Sequence, residues 1–503
     1  MAGPWYVDPE NGLTTNNGLS DTTPWKLIPG QTGASSQTGY GVVAGDTINV
    51  KNGTTSNLAL ALPANNLTYR GYGVASNVLT LTLPGIGGAT RTERVVRQSG
   101  AHEGMWTLDA AGASTYGFLD FSSRSGCVVE DVEVLAPLSD TPVAIGASGS
   151  TAIGATLRRS KVSGSSATGI AVYARSLTIE DVLVEDIDDD GITIGATAAN
   201  GYRAGYQDII RRLSMQRVGR DETSAIGDGI QTFATSDRFE SSLVIQDIYI
   251  NKPSPVKQAV VFSDMLGGLL MEKFLFVSTP TGHAQILFSG LGGAAVIRNG
   301  HIKDGGADNA IIRISGTQGV EAGAVLSVSG VVVDAAENSG FFTFGGSESA
   351  CTIDGAIRIN NCEIRGSNAQ AYSFSGGISV HAGALVTIGA NASLLACNNI
   401  IECSGQPAIR LPVGGANNAR WVVKNNAADR MTWSIGSTDY ASAATFQSAH
   451  SYATGNIDYY LTPALKATAG TYVQGVALRN GRMRPNATPV GAYAAVLPRA
   501  ARS

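Results

Sequence analysis

The chain has 503 residues, of which 15% are charged, and its formal net charge is −5. The charged fraction is below the roughly 25% of ordinary soluble domains. The sequence also has no run of Lys or Arg, which argues against a nucleic-acid partner. No apolar run reaches the roughly 18 residues that a membrane-spanning helix requires, so membrane insertion is not expected. The five cysteines form no Cys-x-x-Cys pair, which argues against a zinc site or a disulfide framework.

Three segments follow one another along the chain. Residues 1–125 open with "WYVDPENG", lack the basic and apolar regions of a secretory signal, and are predicted to form an N-terminal cap and the first coils. Residues 126–425 repeat one phrase: an alternating apolar run, a polar turn and a second short apolar run. Residues 426–503 are predicted to form a C-terminal cap. The second run begins at Ile145, Ile170, Ile192, Ile230, Val260, Ile286, Ile311, Phe341, Tyr372 and Ile409.

This repeat predicts the fold. Short alternating runs of β-branched residues are typical of strands with one buried face, as in "LTIEDVLVEDIDDDGITIG" and "LVIQDIYINKPSPVKQAVVFS". A recurring unit of strands without helices is typical of a solenoid whose coils pack on their neighbours. A β-sandwich or a propeller is the alternative. The variable spacing around a constant phrase favours an all-β parallel β-helix, because one turn of each coil absorbs the insertions.

Three stretches resemble the right-handed parallel β-helix proteins of the pectate-lyase-like superfamily. They are "WYVDPENGLTTNNGLSDTTPWKLI" with "VVAGDTINVKNGT", the repeated coils, and the closing "IDYYLTPALKATAGTYVQ". Within that superfamily the Gly-, Ala-, Ser- and Thr-rich chain looks most like a phage tailspike or virion spike. The resemblance implies a right-handed, single-stranded solenoid, a homotrimer, contact with other virion proteins and a location on the virion. Because this fold serves many activities, it does not by itself specify one.

The acidic stretch "VEDIDDDGITIG" gains a partner when the coils are aligned. The residue two positions before the second apolar run is Thr168, Asp190 and Asp228 in three successive coils. Equivalent positions of neighbouring coils lie about 4.8 Å apart, so we expect Asp190 and Asp228 to stack. The two columns at this turn continue with Lys257 and Gln258 in the next coil, then His283, then Asp308.

The longest insertion lies beside these columns. The step from Ile192 to Ile230 is 38 residues, whereas the shortest step, from Ile170 to Ile192, is 22 residues. Long loops beside a polar column form groove walls and often carry binding residues. Aromatic and arginine side chains suit sugar rings and acidic substituents. We therefore predict that the substrate is bound by Tyr202, Arg203, Tyr206, Glu222, Gln231, Gln258, His283 and Asp308.

Three interpretations of the acidic column stay open, and the first two make Asp189, Asp190 and Asp228 the reactive groups. Carboxylates one coil apart lie near the roughly 5 Å separation of retaining glycosidases, where repulsion raises one pKa. Alternatively, "DDDGI" is similar to the metal-binding Asp-Asp-Gly-aromatic stretch of one pectate lyase family, with Ile192 in place of the aromatic. That similarity implies Ca²⁺ bound by Asp188, Asp189, Asp190 and Asp228, with Lys257 as the base. The third interpretation is a turn only, because Asp-Gly favours turns.

These features lead to one functional hypothesis and two alternatives. The hypothesis is a tailspike-like protein that binds a bacterial capsule or O-antigen in a groove over residues 184–310 and cleaves it. The first alternative is a non-catalytic virion spike that adheres to glycans. The second is a secreted polysaccharide lyase. No cofactor is expected for a hydrolase, whereas a lyase would require Ca²⁺.

Overall fold

A computed structural model gives the structure of the chain. The residues that it describes are 3–97, 102–112, 116–137, 140–146, 150–220, 227–234, 239–252, 258–278, 285–303, 311–337, 342–344, 351–367, 378–380, 386–403, 409–411, 420–429, 433–435, 438–451 and 453–459. The chain forms two compact units, one of residues 1–84 and 90–254 and one of residues 85–89 and 255–503. This division follows compactness, whereas the predicted boundaries at residues 125 and 425 follow the regularity of the repeat.

The first unit is built from short strands, with 3₁₀ helices at Ala34–Ser36 and Gly201–Arg203. The strands are β1 (Trp5–Val7), β2 (Thr47–Lys51), β3 (Thr55–Ser56), β4 (Leu60–Ala61), β5 (Thr68–Tyr72), β6 (Leu79–Pro84), β7 (Thr90–Val95), β8 (Trp106–Asp109), β9 (Tyr116–Asp120), β10 (Val128–Glu130), β11 (Val132–Leu135), β12 (Thr141–Ile145), β13 (Thr156–Ser165), β14 (Ile170–Val172), β15 (Thr178–Ile187), β16 (Ile192–Ala196), β17 (Gln207–Val218), β18 (Ile230–Ala234) and β19 (Ser242–Lys252).

Parallel pairing stacks these strands, apart from β6 and β7, into two sheets of the first unit. In the first sheet, β13, β15, β17 and β19 succeed one another, and Leu157, Ile179 and Ile210 lie side by side, fully buried. In the second sheet, β12, β14, β16 and β18 succeed one another, and Ile192 pairs with Ile230, again fully buried. Every coil contributes to both sheets, and the apolar core lies between them. The fold is the right-handed parallel β-helix that the sequence predicts.

At one shared position, each long strand of the first sheet has a charged residue in the left-handed conformation. These residues are Arg159 (φ 47°), Asp181 (φ 56°), Arg212 (φ 53°) and Asp247 (φ 58°), and Asp131 (φ 60°) occupies the same position between β10 and β11. Acid and base alternate from coil to coil: Arg159 donates to Asp131 at 2.7 Å, and Arg212 donates to Asp181 at 2.5 Å. We call these five residues the alternating column. Opposite charges on adjacent strands stabilise the stack.

The N-terminal segment closes one end of the first unit with aromatic rings. Trp5 pairs with Ile48 in the parallel sheet, and its ring stacks on Trp25 with centroids 4.6 Å apart. The Trp5 indole N–H donates to Asp46 at 2.7 Å. The residues that carry the family resemblance, Trp5, Trp25 and Asp46, therefore form a single closed cluster.

An antiparallel hairpin of β6 and β7 covers part of the first sheet. Leu79, Leu81 and Leu83 pack with Met105 and Leu183. Its β7 strand also extends the alternating column, because Arg91 bonds Asp247 and Glu93 bonds Arg212. The repeat in the sequence does not predict this hairpin.

The second unit consists of the same kind of coil, and its described residues include one α-helix, α1 (Ala443–Ala449), and a 3₁₀ helix at Ile86–Gly88. Its strands are β20 (Val260–Phe262), β21 (Leu269–Ser278), β22 (Ile286–Leu291), β23 (Ala294–Arg298), β24 (His301–Lys303), β25 (Ile312–Val320), β26 (Val325–Ser329), β27 (Val332–Glu337), β28 (Phe342–Phe344), β29 (Cys351–Ile353), β30 (Ala356–Asn360), β31 (Glu363–Ser367), β32 (Ile378–Val380), β33 (Val386–Ile388), β34 (Ser393–Cys397), β35 (Ile400–Cys403), β36 (Ile409–Leu411), β37 (Trp421–Lys424), β38 (Ala427–Asp429), β39 (Trp433–Ile435), β40 (Thr438–Tyr440), β41 (Ala453–Thr454) and β42 (Ile457–Tyr459).

The later coils of the second unit place asparagine at their tight turns. Asn361, Asn398 and Asn425 adopt positive φ. The next residues in two of these coils, Asn399 and Asn426, are fully buried, and the Asn399 amide donates to Asn426 at 2.9 Å. Residues 460–503, which hold most of the predicted C-terminal cap, lie outside the described residues. Within the part that is described, no helix has the length and apolar character needed to cross a bilayer.

The strand pairing corrects some of the repeat positions. Ile170, Ile192 and Ile230 align as predicted. Elsewhere the aligned residues are Val143 instead of Ile145, Ile312 instead of Ile311, Phe342 instead of Phe341, and Ile378 instead of Tyr372. Two of these errors occur at adjacent apolar pairs, Ile-Ile and Phe-Phe, where alternation cannot show which residue begins the strand.

Candidate functional site

The candidate site lies at the turns that enter the second sheet of the first unit. Asp190 stands two residues before β16, and Asp228 stands two residues before β18. Because Ile192 pairs with Ile230, the two aspartates occupy the same position of adjacent coils, as the alignment of the repeats predicts. The backbone N–H of Asp228 donates to Oδ1 of Asp190 at 2.7 Å, and the Gly191 N–H donates to the Asp228 carbonyl at 2.9 Å. We call Asp190 and Asp228 the acid pair.

Burial and like charge set the electrostatics of the acid pair. Both aspartates are only 4% exposed. Desolvation, followed by repulsion from Asp228, raises the pKa of Asp190 to about 7. The Thr193 hydroxyl donates to Oδ2 of Asp190 at 3.0 Å and partly opposes this shift. Asp190 therefore carries a proton for part of the time at neutral pH, as a general acid requires.

A buried lysine that the sequence analysis missed supports the acid pair. Lys252, the last residue of β19, is 1% exposed, and its ammonium group donates to the carbonyl of Gly227. The N–H of that same peptide unit, on Asp228, donates to Asp190. A Cβ on Gly227 would lie 2.6 Å from the Cα of Gly219, so this turn requires glycine. One peptide unit thus joins the ammonium group to the Asp190 carboxyl group.

The neighbouring aspartates have different surroundings. Oδ1 of Asp188 accepts hydrogen bonds from Arg220 at 2.7 and 3.0 Å. The backbone N–H of Asp189 donates to the carbonyl of Ala167 at 3.2 Å, which holds the turn to the preceding coil. The turn therefore separates its three acids: Asp188 pairs with arginine, whereas Asp190 faces another carboxylate.

This arrangement does not fit the calcium site that the resemblance implies. Ca²⁺ needs six to eight oxygen ligands, and both oxygens of Asp190 already accept hydrogen bonds. Among the described residues, no three His, Cys, Asp or Glu side chains are grouped so as to hold a metal ion. A Ca²⁺ requirement therefore stays a prediction, which activity measurements during a metal titration would test.

The predicted binding residues of the long insertion divide into buried and accessible ones. Arg203 is fully buried, and its guanidinium group bonds Asp208 at 2.5 and 3.1 Å. The prediction that Arg203 reaches a substrate is therefore wrong, because its charge anchors the loop to β17. Tyr202 and Tyr206 are partly exposed, but the Arg175 guanidinium group covers the Tyr206 ring at 4.6 Å.

Gln231 lies on the second sheet next to the acid pair. It pairs with Thr193, the residue that bonds Asp190, and it is partly exposed. Gln258 is partly exposed and belongs to the second unit. Four predicted residues lie outside the described residues: Glu222, Lys257, His283 and Asp308.

Comparisons with known proteins give similar folds and no family. No family model matches the chain, and neither does any curated protein. A GH136 lacto-N-biosidase from Eubacterium ramulus is 10% identical, with 91% of this chain and 68% of that chain covered and a TM-score of 0.31. XylC in complex with xylose is 9% identical, with 90% and 85% covered and a TM-score of 0.37. The tailspike of Pseudomonas phage phi297 is 9% identical, with 65% and 72% covered and a TM-score of 0.23. At these TM-scores the likeness carries no argument, and the fold rests on the strand pairing.

Proposed function

We propose that this protein binds a bacterial surface polysaccharide on the outer face of its second sheet and hydrolyses it. The observation that carries the proposal is the acid pair, in which two buried carboxyl groups of like charge stand on adjacent coils. A protonated carboxyl group beside an ionised one is the arrangement that glycoside hydrolysis uses. The proposal extends to a tailspike-like role on a virion, as a homotrimer in contact with other virion proteins.

The chemistry assigns one role to each carboxyl group. Asp190, whose pKa is about 7, would donate its proton to the glycosidic oxygen as the bond to the anomeric carbon breaks. The Asp228 carboxylate would attack that carbon and form a glycosyl ester. Water, activated by the Asp190 carboxylate, would then release the sugar and restore both groups. Adjacent coils stand about 4.8 Å apart, which matches the separation in retaining rather than inverting enzymes.

A second candidate function, a non-catalytic adhesin, is favoured by one specific observation. Both oxygens of Asp190 accept hydrogen bonds that hold neighbouring backbone and side-chain groups. In that role the acid pair would only stabilise stacked turns, and the outer face would bind glycan without cleaving it. A secreted polysaccharide lyase is the remaining alternative.

Purified protein spotted on bacterial lawns, and incubated with the matching capsule or O-antigen, separates these functions. We expect a halo, new reducing ends and no ultraviolet absorbance from an unsaturated product. Asp190→Asn should abolish the halo, whereas Asp188→Asn, in the same turn but paired with Arg220, should keep it. Full activity in Asp190→Asn would refute the site, unsaturated products would indicate a lyase, and binding without cleavage would indicate an adhesin.

A further inference from the structure

Two aromatic rings flank a glycine on the outer face of the second sheet. Gly195 of β16 pairs with Phe233 of β18, and Tyr173 directly follows β14 at the level of Gly195. The preceding residues, Val172 and Ile194, are fully buried. Because side chains alternate across a strand, the rings of Tyr173 and Phe233 point outward, and both remain partly exposed.

The two rings form a corner over the glycine. Their centroids lie 6.0 Å apart with an interplanar angle of 84°. A Cβ on Gly195 would lie 2.5 Å from Cε1 of Tyr173 and 2.9 Å from Cε1 of Phe233, so the rings close over this position only because it has no side chain. One ring face and one ring edge are thus fixed at right angles on a rigid strand.

A third aromatic ring lies on the same sheet, two strands away from β14. Tyr116 at the start of β9 is 56% exposed. Its pKa is raised, first by desolvation and then by the nearby Tyr173 hydroxyl and Asp120 carboxylate. Apolar ring faces beside hydrogen-bonding groups suit a sugar ring, which has an apolar face and a polar edge.

The strand β16 connects the acid pair to the two rings, because Asp190 precedes this strand and Gly195 lies on it. Thr193 of β16 bonds Asp190, and two residues further along the same strand is Gly195. The five positions from Asp190 to Gly195 span roughly 16 Å of extended backbone. A sugar over the rings is therefore not the sugar whose bond is cleaved at the acid pair, although one polysaccharide chain can reach both.

We propose that Tyr173 and Phe233 form an aromatic subsite that binds a sugar ring of the polysaccharide several residues away from the cleaved bond. This inference rests on the proposed function and adds a second contact with the same chain. The subsite contributes affinity for long chains, and it makes no contact with an oligosaccharide too short to reach it.

The test uses purified bacterial capsular and O-antigen polysaccharides on an array, followed by size-fractionated oligosaccharides of the glycan that binds. Dissociation constants are measured in an Asp190→Asn background, where the chain is not consumed. The variants are Tyr173→Ala and Phe233→Ala. The matched control is Tyr72→Ala, which removes a partly exposed ring from another perpendicular pair, Tyr6 and Tyr72, with centroids 5.4 Å apart. Circular dichroism verifies that each variant is folded.

We expect each ring variant to weaken binding of the long chain on the order of tenfold and to bind the shortest oligosaccharide as the parent protein does. The control variant Tyr72→Ala should bind both ligands as the parent protein does. In the active background KM should rise while kcat stays near that of the parent protein. Unaltered long-chain binding in both ring variants would overturn the subsite while the proposed function stands. If no arrayed glycan binds, both fail. If ring variants lose affinity while Asp190→Asn cleaves normally, the subsite stands and the catalytic assignment fails.

Discussion

The first unit contains two acidic columns that obey opposite rules. In the alternating column, Asp131 is followed by Arg159 and Asp181 by Arg212, and Asp247 is paired with Arg91 of the hairpin. In the acid pair, Asp190 is followed by Asp228. Both columns repeat at the spacing of one coil, and both belong to the same solenoid. The difference lies in the sign of the neighbouring charge.

This difference indicates which column has a purpose beyond folding. Like charges on adjacent strands destabilise a sheet, and a buried carboxylate beside another is costly unless one is protonated. The alternating column places arginine beside an acid at the same position of the next coil, whereas the acid pair places a second carboxyl group there. Local rules of this kind are broken chiefly at functional sites, so the acid pair is the better candidate for chemistry.

The largest contrast should appear when one acid of each column is neutralised. Asp228→Asn removes the predicted nucleophile and should lower kcat by roughly 10²- to 10⁴-fold, while thermal stability falls less than in Asp181→Asn because the repulsion from Asp190 is removed. Asp181→Asn should leave kcat unchanged and lower stability, because Arg212 loses a partner at 2.5 Å. Cleavage assays and thermal unfolding measure both effects. The opposite pattern, in which Asp228→Asn destabilises without loss of activity, would make the acid pair structural.

The second contrast concerns pH. Because the pKa of Asp190 is raised to about 7, the folded state binds a proton that the unfolded state, with a pKa near 4, has released. Its contribution to stability is therefore complete below about pH 4 and is lost as pH rises towards 7, by up to about 4 kcal/mol. Arg217 lowers the pKa of Asp186, so that residue's contribution is present above pH 4 and lost on acidification.

Denaturant unfolding between about pH 3 and pH 8 tests this contrast. Asp190→Asn should remove the decline between pH 4 and pH 7, whereas Asp186→Asn should reduce only the loss at acid pH. An unchanged profile in Asp190→Asn would show that Asp190 titrates normally.

The smallest effects should come from the arginines. Arg159→Met removes the cation that pairs with Asp131, and it also removes one ion pair of Glu130, which is 1% exposed. The substitution should lower the free energy of unfolding by about 3 kcal/mol. Arg211→Met breaks a pair with Glu180 in which the arginine side chain is 46% exposed, and it should cost less than about 0.5 kcal/mol. Equal losses in these two variants would mean that the alternating column has no special role in stability.

The sequence predicts the fold and the acid pair for one physical reason. Strands alternate, and the isoleucines at 170, 192 and 230 mark equivalent positions without ambiguity, so Asp190 and Asp228 align correctly. Where two apolar residues are adjacent, as at Ile311 and Ile312, alternation fails and the alignment shifts by one position.

Other features depend on contacts that a single repeat does not encode. Arg203 looks like a loop residue, but its partner Asp208 lies five residues on, at the start of the next long strand. Lys252 occupies an inward position after Ile248 and Ile250, and this charged residue in an apolar alternation was a signal that could have been found. Tyr173 and Phe233 share an outward position, which becomes visible only once the register is known.

The pH dependence of polysaccharide cleavage tests the central claim most directly, namely that the acid pair supplies a protonated Asp190 near neutral pH. Because Asp190 loses its proton there, kcat/KM should fall above an apparent pKa of about 7. Asp188→Asn should show the same decrease of kcat/KM at high pH, and Asp190→Asn should have no cleavage activity. A rate that stays constant from about pH 5 to pH 9, or normal cleavage by Asp190→Asn, would show that Asp190 is not the general acid.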